Sequence, residues 1–418
     1  MNPSIQTNTL LNLGSNDLAN IGVIRVLSLS AVLLFIFLIP WGDGAFDGLP
    51  RLGGILAFGA TFLYLIVHGS HRYYNSFHFF TIVYGAWILF SVLWSPDQEY
   101  GLEKVITNTQ LVLMVFMFTL VIQSKKDIDM AYQAYVLGNV VGSGIIIYNY
   151  INGIESPYYN RFGIKNIETD QLSVILALAM PMAAYLSTRY KHWLLKLFNV
   201  LAMPLVFYAI FLTGTRTGSI VAMLGIFYWV FANRKASVSI KVAIAGVFVI
   251  AVIGIASFAP KASVDRILSA GKSISSGTLN YRTVIWSGTI EQWKEDPITG
   301  IGTGGLGYGL NHEHISYRSA HNTYLELLAE NGAIGLAIYL LMYTALLYYL
   351  LQTRIDDKSF LLSLLMVVII SQLTLHTHNN KDTIFVFSMV ALHAMQRLRE
   401  DKLNLAQHQS SNINRAQV

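Results

Sequence analysis

Cysteine is absent from this sequence and charged residues are scarce. Of the 418 residues, 12% are charged and 54% are hydrophobic. Without cysteine the chain has no disulfide framework and no thiolate chemistry. Soluble domains usually carry about 25% charged residues. The composition therefore excludes an ordinary soluble domain and indicates a membrane protein.

Long apolar runs, many of them near the length of a membrane span, recur along the whole chain. They do not alternate between apolar and polar residues as the strands of a lipid-facing barrel would, so they predict helices. We expect an all-α polytopic membrane protein with about twelve transmembrane helices. The predicted spans are 23–40, 52–68, 77–94, 105–122, 130–151, 171–188, 197–212, 217–231, 242–258, 332–351, 360–375 and 383–395.

Loop charges predict how these spans are oriented. The first twenty residues lack the basic segment and cleavage site of a removable signal peptide, so the first span is expected to be an uncleaved anchor. With a cytoplasmic N-terminus, sixteen of the 28 Lys and Arg residues lie in or beside inner segments, and six lie in short outer connections. This positive-inside bias places both termini in the cytoplasm and a long polar insert outside.

The predicted organisation has five parts. A cytoplasmic tail at 1–22 precedes spans one to nine at 23–258, and a long outer loop with short amphipathic helices occupies 259–331. Spans ten to twelve follow at 332–396, and residues 397–418 form a cytoplasmic tail whose polar composition predicts disorder.

Two patterns are typical of nucleotide-dependent enzymes but lie in unsuitable surroundings. Asp127 and Asp129 form an Asp-x-Asp in a short cytoplasmic loop, with no fold around them to hold a nucleotide sugar. The glycine-rich segment 297–307 resembles a dinucleotide loop, but no strand precedes it. We interpret the lysines beside Asp127 as an orientation signal, and the glycines as a flexible loop that lets backbone approach a bulky ligand.

His321 lies at the start of a stretch, 319–335, that predicts a short helix, a stop at Asn331-Gly332 and a hydrophobic helix directly afterwards. The partial positive charge of a helix N-terminus favours neutral imidazole. A neutral histidine at a membrane surface can accept a proton from a hydroxyl group. The alternative is a histidine that only caps or packs.

Four arginines lie in the predicted outer segments, contrary to the positive-inside bias of the other basic residues. Arg216 lies in the tight turn 213–218 at the membrane surface, and Arg161 precedes span six. Arg282 begins an amphipathic helix that suits the membrane surface, and Arg318 lies shortly before the histidine. Guanidinium groups contact phosphate oxygens at two points, so together these residues could cradle a phosphate or pyrophosphate. The alternatives are snorkelling to lipid phosphates for Arg216 and solvated surface charge for Arg161 and Arg318.

Two histidine pairs have the spacing of a partial metal site. They are His312 with His314, and His376 with His378. Neither pair has further ligands at a recognisable spacing, so we predict no metal site.

Three blocks, in this order, resemble the bacterial O-antigen ligases, O-antigen polymerases and related enzymes that share the Wzy-type C-terminal region. The first is the turn 213–218, and the second runs from Tyr281-Arg282 through Trp286 and on to the segment 297–302. The third is His321-Asn322, nine residues, and then Gly-x-x-Gly at 332–335. Some ligases carry Arg-x-x-x-Leu in this loop, whereas here the fourth residue after Arg282 is Trp286.

The resemblance implies a GT-C-like, inverting glycosyltransferase that depends on polyprenyl pyrophosphate, with its site on the periplasmic side of the bacterial inner membrane. The donor would be a glycan on undecaprenyl pyrophosphate. The acceptor would be a sugar hydroxyl of lipid A–core in a ligase, or of a second lipid-linked glycan in a polymerase. Membrane lipid would surround both substrates, and no nucleic-acid partner is expected.

The same resemblance assigns roles to residues. Carried over by motif, His321 is the general base, and Arg216 and Arg282 contact the pyrophosphate. Arg161 and Arg318 join them on charge and position. Because the pyrophosphate linkage already stores the energy for transfer, no cofactor is expected.

Other functions remain open at this point. The compact length and single outer domain favour a ligase over a polymerase. The number of spans also allows a lipid-linked glycan flippase or transporter. Such a protein is expected to show internal repeats and charges deep within its helices. The sequence shows no evident repeat, and its unusual residues cluster on one side, which favours an enzyme.

Overall fold

A computed structural model describes residues 15–42, 48–69, 74–157, 161–232, 237–239, 241–242, 246, 253–254, 260–268, 282–312, 319–353 and 355–396. Within these ranges the chain forms helices and turns and no strand. The all-α prediction is therefore confirmed for this part of the chain.

Fourteen helices are labelled in chain order. They are α1 Ser15–Leu38, α2 Leu49–His68, α3 Ser76–Ser91, α4 Gln98–Val121, α5 Lys125–Ile151, α6 Thr169–Arg189, α7 Trp193–Leu212, α8 Arg216–Ala232, α9 Lys261–Leu268, α10 Arg282–Glu295, α11 Leu306–His312, α12 Thr323–Leu351, α13 Ile355–Gln372 and α14 at 381–396. A 3-10 turn, Val92–Trp94, follows α3 directly.

Helices lie at eleven of the twelve predicted span positions. Seven of them are long and apolar enough to cross a membrane: α2, α3 with its 3-10 turn, α4, α5, α6, α7 and α12. This establishes a chain with the character of a multi-pass membrane protein. The count of twelve stays a prediction, and the predicted span 242–258 falls largely outside the described residues.

Helix α6 lies at the centre of the bundle. In its most apolar stretch of 18 residues, 83% are buried, compared with 33% in the corresponding stretch of α2. It packs against α5, α7, α8 and α13, whereas α2 leaves large apolar side chains such as Ile55 and Phe62 exposed. Because α6 begins at Thr169, the residues around its N-terminus lie in the middle of one end of the bundle.

Helix α12 breaks at the predicted place. Gly332 has a φ of 66°, outside the helical range, between two helical segments. The glycine loop occupies this break: the amides of Ile301 and Gly302 donate to the carbonyls of Ala329 and Glu330 at 2.9 and 2.8 Å. A Cβ added to Gly332 would lie 2.1 Å from the carbonyl oxygen of Ile298.

The loop 297–307 uses its glycines for close backbone contacts within the protein. Gly300 approaches the broken helix, whereas Gly302 and Gly304 approach Ser95 and Gly101. The predicted approach of this loop to a bulky ligand stays a prediction. The polar groups freed by the break are hydrogen-bonded by the loop, which explains why a buried break is tolerated.

The Asp-x-Asp segment forms the beginning of α5. Ser124 caps the helix by accepting from the Asp127 amide at 3.1 Å, and the Asp127 carboxylate accepts from the Ser124 amide at 2.9 Å. Arg25 also donates to Asp127, at 3.2 Å. A capping box and an ion pair explain the position of Asp127.

Candidate active site

Two of the predicted arginines meet on Asp170, in the first turn of α6. Arg161 Nη1 lies 2.8 Å from Asp170 Oδ1 and 2.9 Å from Thr169 Oγ1. Arg282 Nη2 lies 3.5 Å from the other carboxylate oxygen, Asp170 Oδ2. The three charged side chains are 21 to 24% exposed. Residues from a loop, from α6 and from α10 thus form one half-buried ion cluster.

Arg216 is the third arginine of this region. It begins α8, directly after a turn in which Gly214 has a φ of 61°. A Cβ on Gly214 would lie 3.8 Å from Arg161 Cγ, and the Phe162 amide donates to the Leu212 carbonyl at 3.2 Å. The turn therefore packs directly against the segment that carries Arg161.

Electrostatic interaction links the three guanidinium groups. The pKa of Arg282 lies below its ordinary value, first because of burial; Asp170 raises it, and the charges of Arg161 and Arg216 lower it further. Two guanidinium groups, those of Arg161 and Arg282, share one Asp170 carboxylate. Arg161 Nε is buried and has no hydrogen-bond partner among the described residues. Two partly buried guanidinium groups on a single carboxylate favour a further anionic ligand.

His321 lies on the loop that leads into α12 and adopts a left-handed backbone conformation, with a φ of 47°. Its amide donates to Ser319 Oγ at 3.2 Å. The next residue, Asn322, caps α12 by accepting from the amides of Tyr324 and Leu325 at 3.0 and 3.1 Å. These bonds determine where the imidazole is presented.

Trp286 connects this loop to the arginine cluster. Its Nε1 donates to the Ala320 carbonyl at 3.0 Å, and it lies one helical turn after Arg282 on α10. The tryptophan at the position where some ligases have leucine therefore ties the Arg282 helix to the residue before His321.

The His321 imidazole is electrostatically coupled to the cluster. Burial lowers its pKa below the ordinary 6.5, and the charges of His376 and Arg282 lower it further, while Glu168 and Asp170 oppose the shift. This lowered pKa favours the neutral imidazole at neutral pH. The sequence predicts a neutral His321 from its place at a helix N-terminus. In the structure the Asn322 side chain already accepts from the first helix amides, and burial is the largest cause of the lowered His321 pKa.

The His321 ring also has room for a ligand beside it. Its Nδ1 is buried and has no hydrogen-bond partner among the described residues. The His376 ring lies edge-on to it, with centroids 5.8 Å apart. Both rings line a cavity of about 480 Å³, together with Glu168 from the α6 side and Tyr100 from α4.

A buried ion network contributes Lys104 and Glu326 to the lining of this cavity. Lys104 Nζ lies 3.2 Å from Glu326 Oε1 and 2.8 Å from Glu330 Oε1. Glu326 Oε2 accepts from Ser319 Oγ at 3.0 Å and from the Ala320 amide at 3.2 Å. The network joins α4 to α12 and holds the backbone that leads to His321.

The predicted membrane-surface helix packs mainly on protein. On α10, Ile285 is 2% exposed and forms an apolar cluster with Leu306, Leu310, Ala320 and Ala329. Val284 and Ile290 remain exposed. A helix is present where the sequence predicts one, and its buried face contacts α11 and α12. Its amphipathic character and the contact of the exposed pair with a membrane stay predictions.

The structure thus brings together four of the five residues that the sequence singles out: Arg161, Arg216, Arg282 and His321. The fifth, Arg318, lies outside the described residues. His314, which forms a partial metal pair with His312 in the sequence, also lies outside them. Within the described residues no group of three potential metal-ligating side chains occurs.

Sequence reasoning missed Asp170, Glu168 and His376. An acidic residue at a helix start is common because it complements the helix dipole, so Asp170 gives no special signal by itself. The available signal is its place nine residues after Arg161, in the same predicted outer connection. His376 was considered only as half of a metal pair.

Comparison with known proteins shows a similarity between part of this chain and one protein family. Residues 200–340 match the Wzy_C family model, described as O-antigen ligase. No curated protein matches the chain. The match covers about a third of the chain and includes Arg216, Arg282 and His321, whereas Arg161 and Asp170 precede it. The resemblance found from the three sequence blocks is confirmed over residues 200–340, which are similar to the Wzy_C region of O-antigen ligases.

Proposed function

We propose that the protein is an O-antigen ligase-type glycosyltransferase. It moves a glycan from undecaprenyl pyrophosphate to a sugar hydroxyl of lipid A–core at the periplasmic face of the bacterial inner membrane. The observation that carries this proposal is the convergence of the arginine cluster and the neutral His321 at one end of the bundle.

The arginine cluster supplies the donor side of the reaction. Arg161 and Arg282 share the single carboxylate of Asp170, and the charge of Arg216 also acts on Arg282. A diphosphate provides further anionic groups for guanidinium contacts. As the anomeric C–O bond breaks, its electron pair passes to the diphosphate oxygen. Guanidinium groups held in place beforehand stabilise that developing charge, and no cofactor is needed in this proposal.

His321 supplies the acceptor side. The acceptor hydroxyl attacks the anomeric carbon, its proton passes to an imidazole nitrogen of His321, and undecaprenyl diphosphate leaves. A positioned general base contributes roughly 10²–10⁴-fold to the rate of such a step. Direct displacement from the face opposite the diphosphate inverts the anomeric configuration. Arg318, which precedes His321 by three residues in the sequence, is proposed to join the diphosphate contacts.

A polymerase is the nearest alternative, because it uses the same donor chemistry and differs only in its acceptor, a second lipid-linked glycan. A flippase or transporter is the second alternative. Among the described residues, the site groups gather at the end of the bundle where α6 and α12 begin, which favours bond formation over a path through the membrane.

Reconstitution tests the class of reaction. The purified full-length protein in liposomes, supplied with undecaprenyl-diphosphate-linked glycan and lipid A–core, is expected to form a new glycosidic bond and to release undecaprenyl diphosphate. Glycan translocation without bond formation would instead establish a transporter.

A deletion strain separates ligase from polymerase. We expect the strain to lack polysaccharide on lipid A and to accumulate lipid-linked polymer. Single repeat units on lipid A would assign polymerase activity instead.

A further inference from the structure

The cavity beside His321 is lined by acidic and neutral polar groups. Glu103 and Glu168 are exposed carboxylates in its lining, and the buried Glu326 also lines it. The amide side chains of Asn379 and Asn380 also line it. This composition differs sharply from the neighbouring cluster of three arginines.

The cation at the cavity wall is already neutralised. Lys104 is the only lysine or arginine among the described residues that line the cavity. Its ammonium group contacts the carboxylates of Glu326 and Glu330, at 3.2 and 2.8 Å, and its side chain is 11% exposed. It therefore offers little attraction to an anionic ligand, and the carboxylates of Glu103 and Glu168 add negative charge to the lining.

The cavity also presents hydrogen-bonding atoms that lack a partner. His321 Nδ1, His376 Nδ1 and Asn379 Oδ1 are buried and have no hydrogen-bond partner among the described residues. Unmade hydrogen bonds of buried groups are costly, so hydroxyl or amide groups of a ligand would stabilise this region. Tyr100 adds an aromatic ring, half-buried at the same wall.

We propose that this cavity binds the acceptor sugar and that the sugar it accepts is neutral or carries an amino group, not a phosphate or carboxylate. The inference rests on the proposed function, because it assigns the acceptor substrate of the same site. Carboxylates accept strong hydrogen bonds from sugar hydroxyls, and they repel an anionic substituent across a cavity of this size. The anionic donor group is left to the arginine cluster.

The chemical structure of the product tests the proposal. Mass spectrometry and nuclear magnetic resonance of the glycan made by the wild-type protein identify the sugar that bears the new linkage. We expect a neutral sugar or an amino sugar. A phosphorylated sugar or a uronate at that position overturns the inference. Absence of any transfer by the wild-type protein would instead overturn the proposed function.

A charge-removing variant gives a second test, in which the direction of the change in the acceptor KM decides the outcome. With the native acceptor, Glu168→Gln is expected to raise the acceptor KM roughly three- to tenfold, since a charge-assisted hydrogen bond is weakened, and to leave the donor KM unchanged. A lower acceptor KM would reveal relief of repulsion from an anionic sugar. An unchanged KM would show that the carboxylate does not face the acceptor, and either result contradicts the proposal.

The matched control is Glu99→Gln. Glu99 is an exposed carboxylate in the first turn of α4, on the same helix as Glu103 but away from the lining of the cavity. It removes the same charge from the protein, so its acceptor KM is expected to equal that of the wild type.

Discussion

Trp286 Nε1 donates a hydrogen bond to the carbonyl oxygen of Ala320 at 3.0 Å. Ala320 precedes His321, and Trp286 lies one turn after Arg282 on α10. The bond therefore joins the element that presents a diphosphate-binding candidate to the loop that presents the candidate base. Transfer between two substrates requires both groups in fixed relative positions, and this contact helps to fix them.

Removal of that donor is expected to slow transfer. Trp286→Phe keeps an aromatic ring but leaves the Ala320 carbonyl without the indole hydrogen bond, a loss of about 1 kcal/mol. We expect kcat to fall roughly fivefold with little change in the KM of either substrate, measured as initial rates in liposomes. Trp293→Phe is the control, because the Trp293 indole donates to the Pro297 carbonyl at 3.1 Å, away from the histidine loop. Equal effects of both substitutions would show that the Ala320 contact has no special role.

Asp170 orients two of the arginines, so its charge is expected to matter for catalysis rather than for donor binding. Asp170→Asn removes the carboxylate that contacts Arg161 and Arg282. We expect kcat to fall about tenfold or more through misplaced guanidinium groups, while the donor KM does not rise, because net positive charge increases. Glu291→Gln on α10, whose exposed ion pair with Lys294 is 2.7 Å long, should retain wild-type rates. A raised donor KM with unchanged kcat would argue against an orienting role.

The pH dependence of transfer should reflect the lowered pKa of His321. Because burial, His376 and Arg282 all disfavour the imidazolium form, the neutral base persists to a pH below its ordinary pKa of 6.5. Transfer is therefore expected to stay constant at neutral pH and to fall only below pH 6.5.

His376→Gln removes one of the groups that lower this pKa, so the acid limb of the pH–rate profile is expected to move to higher pH. The opposing carboxylates Glu168 and Asp170 remain in place in this variant. An acid limb that stays fixed, or moves to lower pH, would exclude His321 as the group that titrates.

Gly332 is expected to be essential for stability. Its backbone lies in a region open almost only to glycine, at φ 66° and ψ −171°, where a non-glycine residue costs about 1–3 kcal/mol. A Cβ would also clash with the Ile298 carbonyl. Gly332→Ala should lower the thermal unfolding midpoint of the detergent-solubilised protein. Gly144→Ala, in α5, meets no atom within 4 Å and should leave the midpoint unchanged or slightly higher; equal midpoints for the two variants would contradict this account of the helix break.

The helices were predictable because each apolar run has its own local signal. The second span is predicted at 52–68 and α2 extends over Leu49–His68. The break at Gly332 was equally predictable, since Asn-Gly is unfavourable within a helix. The loop that packs against this break was not predictable. The hydrogen bonds from Ile301 and Gly302 reach residues 28 positions away, and such contacts leave no periodic pattern in the sequence.

The unusual residues of the candidate site were predictable from the sequence, but the contacts between them were not. Arg216, Arg282 and His321 lie in recognisable blocks, and the charge of Arg161 in a predicted outer segment singles it out. Asp170 resembles an ordinary first-turn acid, and the Lys104–Glu326–Glu330 network joins two apolar helices whose sequences give no register. Charge pairing between distant helices is decided by packing, which sequence periodicity does not specify.

The most direct measurement is glycan transfer by His321→Ala in liposomes, at a protein level and thermal midpoint matched to the wild type, with undecaprenyl-diphosphate-linked donor and the native acceptor. Loss of the base should lower kcat by roughly 10²-fold or more while the donor KM stays near the wild-type value, since the arginine cluster is intact. Transfer at the wild-type rate would contradict the assignment of His321 as the base and, with it, the account of this site.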